Sequence, residues 1–327
     1  MWTAYWTTAP GVGELRTERG RAPGEGEALV RTLRSGISRG TETLIHTGAV
    51  PAQVAGLMRA PFQAGDLPGP VKYGYLNVGV VEDGPADLVG RRVFVLHPHQ
   101  DRYVVPAAAL TPVPDDVPTD RAVLAGTVET AVNVLWDAAP RLGDRIAVVG
   151  TGMVGGMVAA LLRTFPLGRL QMVDPDPARR GLAHALGVDL VHPDDAAGDC
   201  DVVVHCSATE AGLARGLELL GDEGELVEVS WYGTHGPRVP LGGPFHARRL
   251  TIRASQVGAV AAARRARRST ADRLALAVRT LADPVFDAFL TGRSDFADLP
   301  ATMPRLAAGE GSPLCHLIDY PESAESQ

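Results

Sequence analysis

Cysteine is scarce in this 327-residue chain, which has three such residues and no C-x-x-C pair. Cys200, Cys206 and Cys315 are too few and too scattered for a disulfide framework, or for a lobe that binds structural zinc through four cysteines. We therefore expect neither a disulfide-rich secreted fold nor a structural zinc site. A reducing cytoplasm is the simplest location for such a chain.

Long apolar runs and excess positive charge are also missing. No stretch approaches the roughly 18 apolar residues that a membrane span needs, and residues 1–5 lack the basic charge of a signal peptide. The net charge is −7, so neither nucleic acid nor an anionic membrane is expected as a partner. A hydrophobic content of 45% indicates an ordinary globular protein with sizeable cores, which suits a small-molecule substrate.

Lysine is the rarest charged residue. The chain has 31 lysine and arginine residues together, and Lys72 is the single lysine. An ammonium has a tunable pKa, which a guanidinium lacks, so Lys72 is a candidate for proton transfer beside the nearby tyrosines. The alternative is chance, because one residue is a small sample.

A glycine-rich turn lies about midway along the chain. Residues 146–149 have the apolar pattern of a buried strand, and they lead into a G-x-G-x-x-G motif that a helical pattern follows. This order is typical of a dinucleotide-binding turn, where glycines permit a tight turn, close approach of a pyrophosphate, and packing of the helix on the strand. The predicted cofactor-binding residues of the turn are Gly150, Thr151, Gly152, Met153, Val154 and Gly155.

An acidic residue follows at a suitable distance. The next predicted strand, residues 170–173, ends at Asp174, close to the spacing of about 20 residues at which a carboxylate accepts from the ribose hydroxyls. This favours NAD(H), because the 2′-phosphate of NADP(H) would meet like charge. Arg179, at the start of the next helix, keeps NADP(H) as a second option. Ser207, after a further predicted strand, completes the predicted cofactor site.

Two patterns of secondary structure divide the chain. Up to residue 118, short apolar runs alternate with Gly, Pro and Asp clusters, which is typical of a β-rich barrel. From 119 to 285, helical and strand patterns alternate, which indicates a parallel sheet with helices on both faces. The predicted domains are therefore 1–118 with 286–327, a discontinuous catalytic domain, and 119–285, a dinucleotide-binding domain. Loops 47–69 and 230–247 are expected to line the substrate pocket.

Four segments resemble the medium-chain dehydrogenase/reductase superfamily. SGISRGTE (35–42) resembles its SGIC-GTD segment, GYLNVGVV (74–81) its GHExxGxVV segment, LAGT (124–127) a CAG-like turn, and FHARRLTIRAS (245–255) its F-x-x-KELTIxGS segment. The resemblance covers nearly the whole chain. It implies an α/β fold with a GroES-like β-barrel domain and a Rossmann domain with a doubly wound parallel sheet, a nicotinamide cofactor and a homodimer.

At the positions where that family has its catalytic zinc ligands, this chain has different residues. The cysteine of the first segment falls on Ser38 or Arg39, the histidine of the second on Tyr75, and its neighbouring acid on Leu76. Neutral hydroxyls bind zinc poorly, so no metal ligand is predicted. The chain thus resembles a zinc-independent member, similar to the bacteriochlorophyllide dehydrogenase-like group, whose members oxidise a hydroxyethyl side chain with a nicotinamide cofactor.

Without zinc, another group must stabilise the developing alkoxide and exchange its proton. Tyr75 is the first candidate, and Lys72 could activate it, although strand alternation directs the two side chains to opposite faces. The resemblance places Thr41 on the hydroxyl that relays the substrate proton and Glu42 on an acidic position behind it. The structural alternative for both is a cap and a partner for Arg39.

Two further catalytic candidates follow from position along the chain. Glu129 follows the 124–127 turn, where it could face the nicotinamide, and its structural alternative is an acid in the first turn of a helix. His99 follows a predicted strand end, and its alternative is a solvated loop histidine. A new metal site built from His97, His99 and Glu42 is less favoured, because nothing fixes their spacing.

These observations favour a zinc-independent NAD(H)-dependent oxidoreductase that interconverts a secondary alcohol and a ketone. One alternative is an NADPH-dependent reductase of conjugated C=C bonds, as in enoyl and quinone reductases. The other is a nucleotide-binding protein without catalytic activity.

Overall fold

The computed structural model describes residues 1–311 and 313–321, and the chain divides into two compact units. Unit 1 comprises Met1–Gly126 and Leu274–Gln327, and unit 2 comprises Thr127–Arg273. The sequence analysis placed the domain boundaries at 118/119 and 285/286. In both divisions the second unit is an insertion within the first.

The elements of the described residues are given in chain order. The strands are β1 (Trp2–Ala9), β2 (Val12–Glu18), β3 (Glu27–Ser38), β4 (Ala64–Gly65), β5 (Val71–Lys72), β6 (Asn77–Asp83), β7 (Arg92–Val95), β8 (Arg102–Pro106), β9 (Thr111–Pro112), β10 (Arg145–Val149), β11 (Arg169–Val173), β12 (Asp189–Val191), β13 (Cys200–His205), β14 (Leu220–Glu228), β15 (Thr251–Ala254), β16 (Leu290–Asp295) and β17 (Cys315–Asp319). The helices are α1 (Arg39–His46), α2 (Thr119–Ala122), α3 (Ala125–Ala138), α4 (Met153–Leu162), α5 (Arg180–Leu186), α6 (Glu210–Leu219), α7 (Pro244–Ala247), α8 (Thr270–Thr280) and α9 (Leu299–Ala307). Over the same residues, no helix combines the length and the apolar character that a membrane crossing requires.

The described residues of unit 1 form a β-rich body. One sheet has the strand order β2-β1-β5-β4, and the other has the order β16-β17-β3-β6-β7-β9, with β8 also paired to β3. The long strand β3 alternates between buried and partly buried positions in its first half, as expected of a strand with one face on a core. Its last four residues, from Ser35 to Ser38, are all buried. The carboxyl end of β3 therefore presents side chains to the interior on both faces.

Residues 127–273, all of which are described, are built around a parallel sheet. Its strand order is β12-β11-β10-β13-β14-β15. Counted from β10 in chain order, this is the 3-2-1-4-5-6 order of a Rossmann fold, so the predicted fold class is confirmed. The order reverses between β10 and β13, where Val149 lies opposite His205. Ligands of open α/β sheets bind at such a switch point, outside the carboxyl ends of the strands.

Candidate functional site

Three hydroxyl groups meet at the carboxyl end of β3 in unit 1. Ser38 is the last residue of β3 and precedes α1, so Thr41 and Glu42 lie in the first turns of that helix. Tyr75, in the segment between β5 and β6, hydrogen bonds to the side chains of Ser38 and Thr41. Two of the predicted catalytic residues, Tyr75 and Thr41, are thus in contact.

The environment of Tyr75 sets its acidity. Burial, and secondly the charge of Glu42, raises the pKa of the Tyr75 phenol to about 12, while the hydrogen bonds with Ser38 and Thr41 act in the opposite direction. The phenol is therefore protonated near neutral pH. A protonated phenol held by two hydroxyls can donate to a developing alkoxide.

Glu42 and His99, two more of the predicted residues, form a buried pair. The Oε2 atom of Glu42 lies 2.8 Å from Nε2 of His99, and their side chains are 3% and 1% exposed. The Oε1 atom accepts from the Ser38 backbone N–H at 2.9 Å. On the other side of the imidazole, Nδ1 lies 2.8 Å from the Ser35 hydroxyl, which lies 3.0 Å from the Tyr320 hydroxyl. His99 is therefore not a solvated loop residue but the centre of a buried polar chain.

The donor set at this place does not fit a catalytic zinc ion. Both ring nitrogens of His99 and both oxygens of Glu42 are already hydrogen bonded, and the other groups nearby are hydroxyls and the thiol of Cys315, whose pKa burial and Glu42 raise. His97 is stacked on Tyr103 at 3.6 Å, and its Nδ1 lies 3.0 Å from the Pro98 carbonyl. In the part of the chain that the structure describes, no three His, Cys, Asp or Glu side chains are grouped as metal ligands.

The structure does not bring Lys72 to Tyr75. Its Nζ atom lies 2.8 Å from the Glu18 carboxylate and 2.9 Å from the Gln100 side-chain oxygen, above the ring of Trp6. Lys72 ends β5 and Tyr75 lies in the segment that follows it, and their side chains have different hydrogen-bond partners. These contacts give the candidate activation of Tyr75 by Lys72 no support.

Glu129 lies in unit 2 and binds a cation there. Its carboxylate contacts the guanidinium of Arg273 at 3.0 Å, and the two side chains are 5% and 1% exposed. Arg273 also donates to the Asn133 side chain and the Ala259 carbonyl. Burial raises the pKa of Glu129, and Arg273 opposes that rise. This ion pair accounts for Glu129 structurally, so its catalytic assignment gains no support.

The glycine turn of unit 2 has little room for side chains at two positions. Gly150 has a φ of 88°, and a Cβ atom there would lie 2.5 Å from the Ser207 backbone. At Gly155, a Cβ atom would lie 1.9 Å from the Gly150 carbonyl oxygen, so α4 packs directly on the turn. No atom lies within 4 Å of a Cβ built at Gly152, which leaves that side open to a ligand. The α4 amino terminus, at Met153 and Val154, supplies N–H donors for an anion.

Asp174 is held beside this turn. Its Oδ2 atom accepts from the Thr151 backbone N–H at 2.7 Å and from the Thr151 hydroxyl at 3.0 Å, and Oδ1 accepts from the Asp176 N–H at 2.9 Å. A carboxylate has about four acceptor sites, so capacity for a ribose hydroxyl is left. Arg179 lies 3.5 Å from the Asp176 carboxylate. The residues present therefore fit a dinucleotide.

Two titratable residues that the sequence analysis missed lie next to the predicted Ser207. His205, fully buried, has Nδ1 2.8 Å from Oε2 of Glu228 and Nε2 2.7 Å from the Ser207 hydroxyl. Glu228 also accepts from the Ser230 N–H at 2.8 Å and from the Tyr232 hydroxyl at 3.2 Å. A signal was available, because His205 and Glu228 are polar residues at the carboxyl ends of two strands. Their pairing required the register of β13 and β14, which aligns them.

Comparison with known proteins supports the fold. No protein-family model matches the chain. It is 30% identical over 117 residues to the L-threonine 3-dehydrogenase of Rhizobium rhizogenes, a stretch that covers 36% of this chain and 33% of that enzyme. The match thus spans about a third of the relative's length.

Two solved structures resemble nearly the whole chain. The 2R,3R-butanediol dehydrogenase of Bacillus subtilis superposes with a TM-score of 0.78 at 17% identity, over 98% of this chain and all of that one. A structure from Sinorhizobium meliloti, described as a zinc-binding dehydrogenase bound to NADP, also gives a TM-score of 0.78 at 17% identity, over 98% and 99% of the chains. The chain therefore has a fold like that of the medium-chain, zinc-type alcohol dehydrogenases, with a catalytic and a Rossmann domain.

Proposed function

We propose that this protein is a zinc-independent, NAD(H)-dependent oxidoreductase that interconverts a secondary alcohol and a ketone. The observation that carries the proposal is the glycine turn at the switch point of the parallel sheet, with Asp174 fixed beside it by Thr151. The fold and the dehydrogenase names of its structural neighbours agree with this function.

The residues of unit 2 suit the binding of the cofactor. The backbone of Gly150–Gly155 and the amino terminus of α4 would hold the pyrophosphate, and Asp174 would accept from the adenosine ribose. When bound, the nicotinamide supplies or accepts the hydride. The carboxylate of Asp174 disfavours a 2′-phosphate, and Arg179 lies close to the carboxylate of Asp176. This supports NAD(H) over NADP(H).

The hydroxyl cluster of unit 1 suits the movement of the substrate proton. In ketone reduction, the Tyr75 phenol donates its proton as negative charge develops on the substrate oxygen. Ser38 and Thr41 hydrogen bond to the phenol and stabilise the phenolate that is left. In alcohol oxidation the same phenolate accepts the hydroxyl proton. Glu42 and His99 are positioning residues, since Glu42 holds the Ser38 backbone through which β3 joins α1.

We also propose that the chain forms a homodimer through β15. This strand is at the edge of the sheet of unit 2, and all four of its residues are exposed. An exposed edge presents unpaired N–H and C=O groups, and a second copy can satisfy them by continuing the sheet.

A paired binding and activity assay tests the proposed function. Purified protein of measured zinc content is titrated with NADH and NADPH by fluorescence, then assayed with a panel of secondary alcohols and ketones. Tighter binding of NADH, with turnover independent of zinc, is the expected result. Preference for NADPH with reduction of enones would favour the C=C reductase, and NADH binding without any turnover would favour the non-catalytic alternative. Activity that requires stoichiometric zinc would contradict the metal-free site.

A further inference from the structure

A small cavity in unit 1 lies beside the first helix. It has about 10 Å³ open to the centre of a water molecule. A site of that size holds one water and no larger ligand. Its wall is formed by residues of β1, α1, α9 and the segment between β5 and β6, namely Tyr5, Thr7, Glu42, Ile45, His46, Tyr73 and Met303.

Two polar atoms in this wall have no hydrogen-bond partner among the residues that the structure describes. They are Oη of Tyr5 and Nδ1 of His46, which also do not hydrogen bond to each other. Both residues are 2% exposed, so bulk solvent does not reach these atoms. An unpartnered buried polar atom destabilises the folded state, and native proteins satisfy nearly all such atoms with protein groups or ordered water.

The hydrogen-bonding roles of the two atoms suit a water molecule. The Tyr5 phenol carries its proton near neutral pH, since burial raises its pKa, and its O–H needs an acceptor. Burial lowers the pKa of His46, so its ring is neutral, and Nδ1 donates or accepts according to the tautomer. Water has two donor and two acceptor positions. One water can therefore accept from the phenol and pair with either tautomer of His46.

Two further polar side chains of the wall can take the remaining hydrogen bonds of the water. The Thr7 hydroxyl lies close enough to the Tyr5 phenol to lower its pKa, without the geometry of a hydrogen bond. The Glu42 carboxylate accepts from the Ser38 N–H at 2.9 Å and is paired with His99 at 2.8 Å. A carboxylate has about four acceptor sites, so Glu42 has capacity left. Buried waters make about three hydrogen bonds, and these side chains supply that number.

We propose that one water molecule is bound in this cavity, with Tyr5 and His46 as its principal partners and with Thr7 and Glu42 as further ones. The site is built by side chains of two elements that are distant in sequence, β1 and α1. Its ligand is a small uncharged molecule that both donates and accepts hydrogen bonds, and the size of the cavity restricts that ligand to water.

The bound water would link β1 to α1 behind the hydroxyl cluster of unit 1. The backbones already meet nearby, where the Gly11 N–H donates to the His46 carbonyl at 2.7 Å. On another side, Tyr73 in the cavity wall contacts the Tyr75 ring edge to face at 6.2 Å. Binding of the water requires neither a cofactor nor a substrate, so the inference goes beyond the proposed function and does not rest on it.

Two measurements on the full-length protein detect the water directly. A crystal structure that resolves ordered waters should show one within hydrogen-bond distance of Tyr5 Oη and His46 Nδ1. In solution, magnetic relaxation dispersion of water oxygen counts long-lived internal waters, and the count should fall by one in the double variant Tyr5→Phe/His46→Leu. Tyr103→Phe is the matched control, because the buried Tyr103 phenol donates directly to Asn77 at 2.9 Å, and its count should equal that of the wild type.

The sign of a stability change separates a bound water from an unpartnered phenol. If the water is bound, Tyr5→Phe removes one of its hydrogen bonds, and the equilibrium constant for folding should fall about two- to tenfold. If it is not, Tyr5→Phe removes a buried hydroxyl that bonds to nothing, and stability should rise. In the His46→Leu background the loss caused by Tyr5→Phe should be smaller, because the water has already lost one partner. Urea unfolding measures these differences.

Three outcomes would overturn the inference. One is a crystal structure without a water between the two atoms, or with the His46 ring flipped so that Nδ1 contacts another group. The second is an unchanged water count in the double variant, and the third is a Tyr5→Phe variant that is more stable than the wild type. Should the double variant not fold, the crystal structure and the single variant Tyr5→Phe still decide. NADH binding and turnover enter none of these measurements, so a failure here leaves the proposed function standing.

Discussion

Thr151 donates two hydrogen bonds to Asp174, one from its backbone N–H and one from its hydroxyl, and both reach the same carboxylate oxygen. Thr151 is fully buried, so its hydroxyl has a fixed direction. Thr151, the first variable residue of the glycine motif, thus orients Asp174, which directly follows β11.

Thr151→Val should weaken NADH binding. The substitution keeps the shape and the backbone N–H but removes one hydrogen bond to a carboxylate, which contributes about 1.5 to 3 kcal/mol. We expect NADH affinity to fall about tenfold, with a smaller change for NADPH, when both are measured by fluorescence titration. Thr164→Val, at an exposed position just after α4, is the matched control and should change neither affinity. An unchanged NADH to NADPH ratio in Thr151→Val would show that Thr151 does not orient Asp174.

Tyr75→Phe should abolish most of the turnover and leave cofactor binding intact. A positioned proton donor contributes roughly 10²- to 10⁴-fold to rate, so kcat for ketone reduction should fall by about that factor. Tyr73→Phe is the matched control, since the Tyr73 ring is buried and contacts Tyr75 edge to face at 6.2 Å. Equal losses in the two variants would point to packing in place of proton transfer.

Glu42→Gln should move the pH dependence of alcohol oxidation to lower pH. Oxidation needs the deprotonated phenol, so its rate rises with pH up to the pKa of Tyr75. After burial, the charge of Glu42 is the next cause that raises this pKa, and a neutral amide removes it. The rise of kcat with pH should therefore occur at lower pH than in the wild type. Initial rates of alcohol oxidation measured across the pH range test this. A shift to higher pH would contradict the assignment of Tyr75.

Glu129→Ala should destabilise unit 2 because it leaves Arg273 buried without a partner. Removing one member of a buried ion pair costs about 3 to 5 kcal/mol in the free energy of unfolding. Urea unfolding measures the loss. Glu218→Ala, which breaks the exposed pair with Arg215 on α6, should change stability by less than about 1 kcal/mol. If Glu129→Ala were as stable as the wild type but had lost turnover, the catalytic reading of Glu129 would be restored.

Much of the fold could be predicted because its signals are local. The glycine motif, the strand before it and the acid after it lie within a short stretch, and the structure has the β10, α4 and β11 order that this pattern predicts. Local patterns are reliable here because the apolar runs that form β10 and α4 are almost wholly buried.

The partners of buried charges could not be predicted in the same way. Glu129 and Arg273 are 144 residues apart, and Glu42 and His99 are 57 apart. Such pairs depend on tertiary packing, and a single sequence contains no distance information. His205 and Glu228 were missed for the same reason, since only the register of two strands that α6 separates places them together.

The exposed edge of β15 gives a test of the proposed dimer. Ile252 in β15 is 36% exposed, so Ile252→Lys should leave the folding of the single chain intact. The added charge should prevent association through that edge. Light scattering coupled to gel filtration should show a dimer for the wild type and a monomer for the variant. Leu276→Lys is a matched control, because Leu276 on α8 is also 36% exposed and should leave the dimer intact. A wild-type monomer at micromolar concentration would overturn the proposed assembly, and a dimer in both variants would place the interface elsewhere.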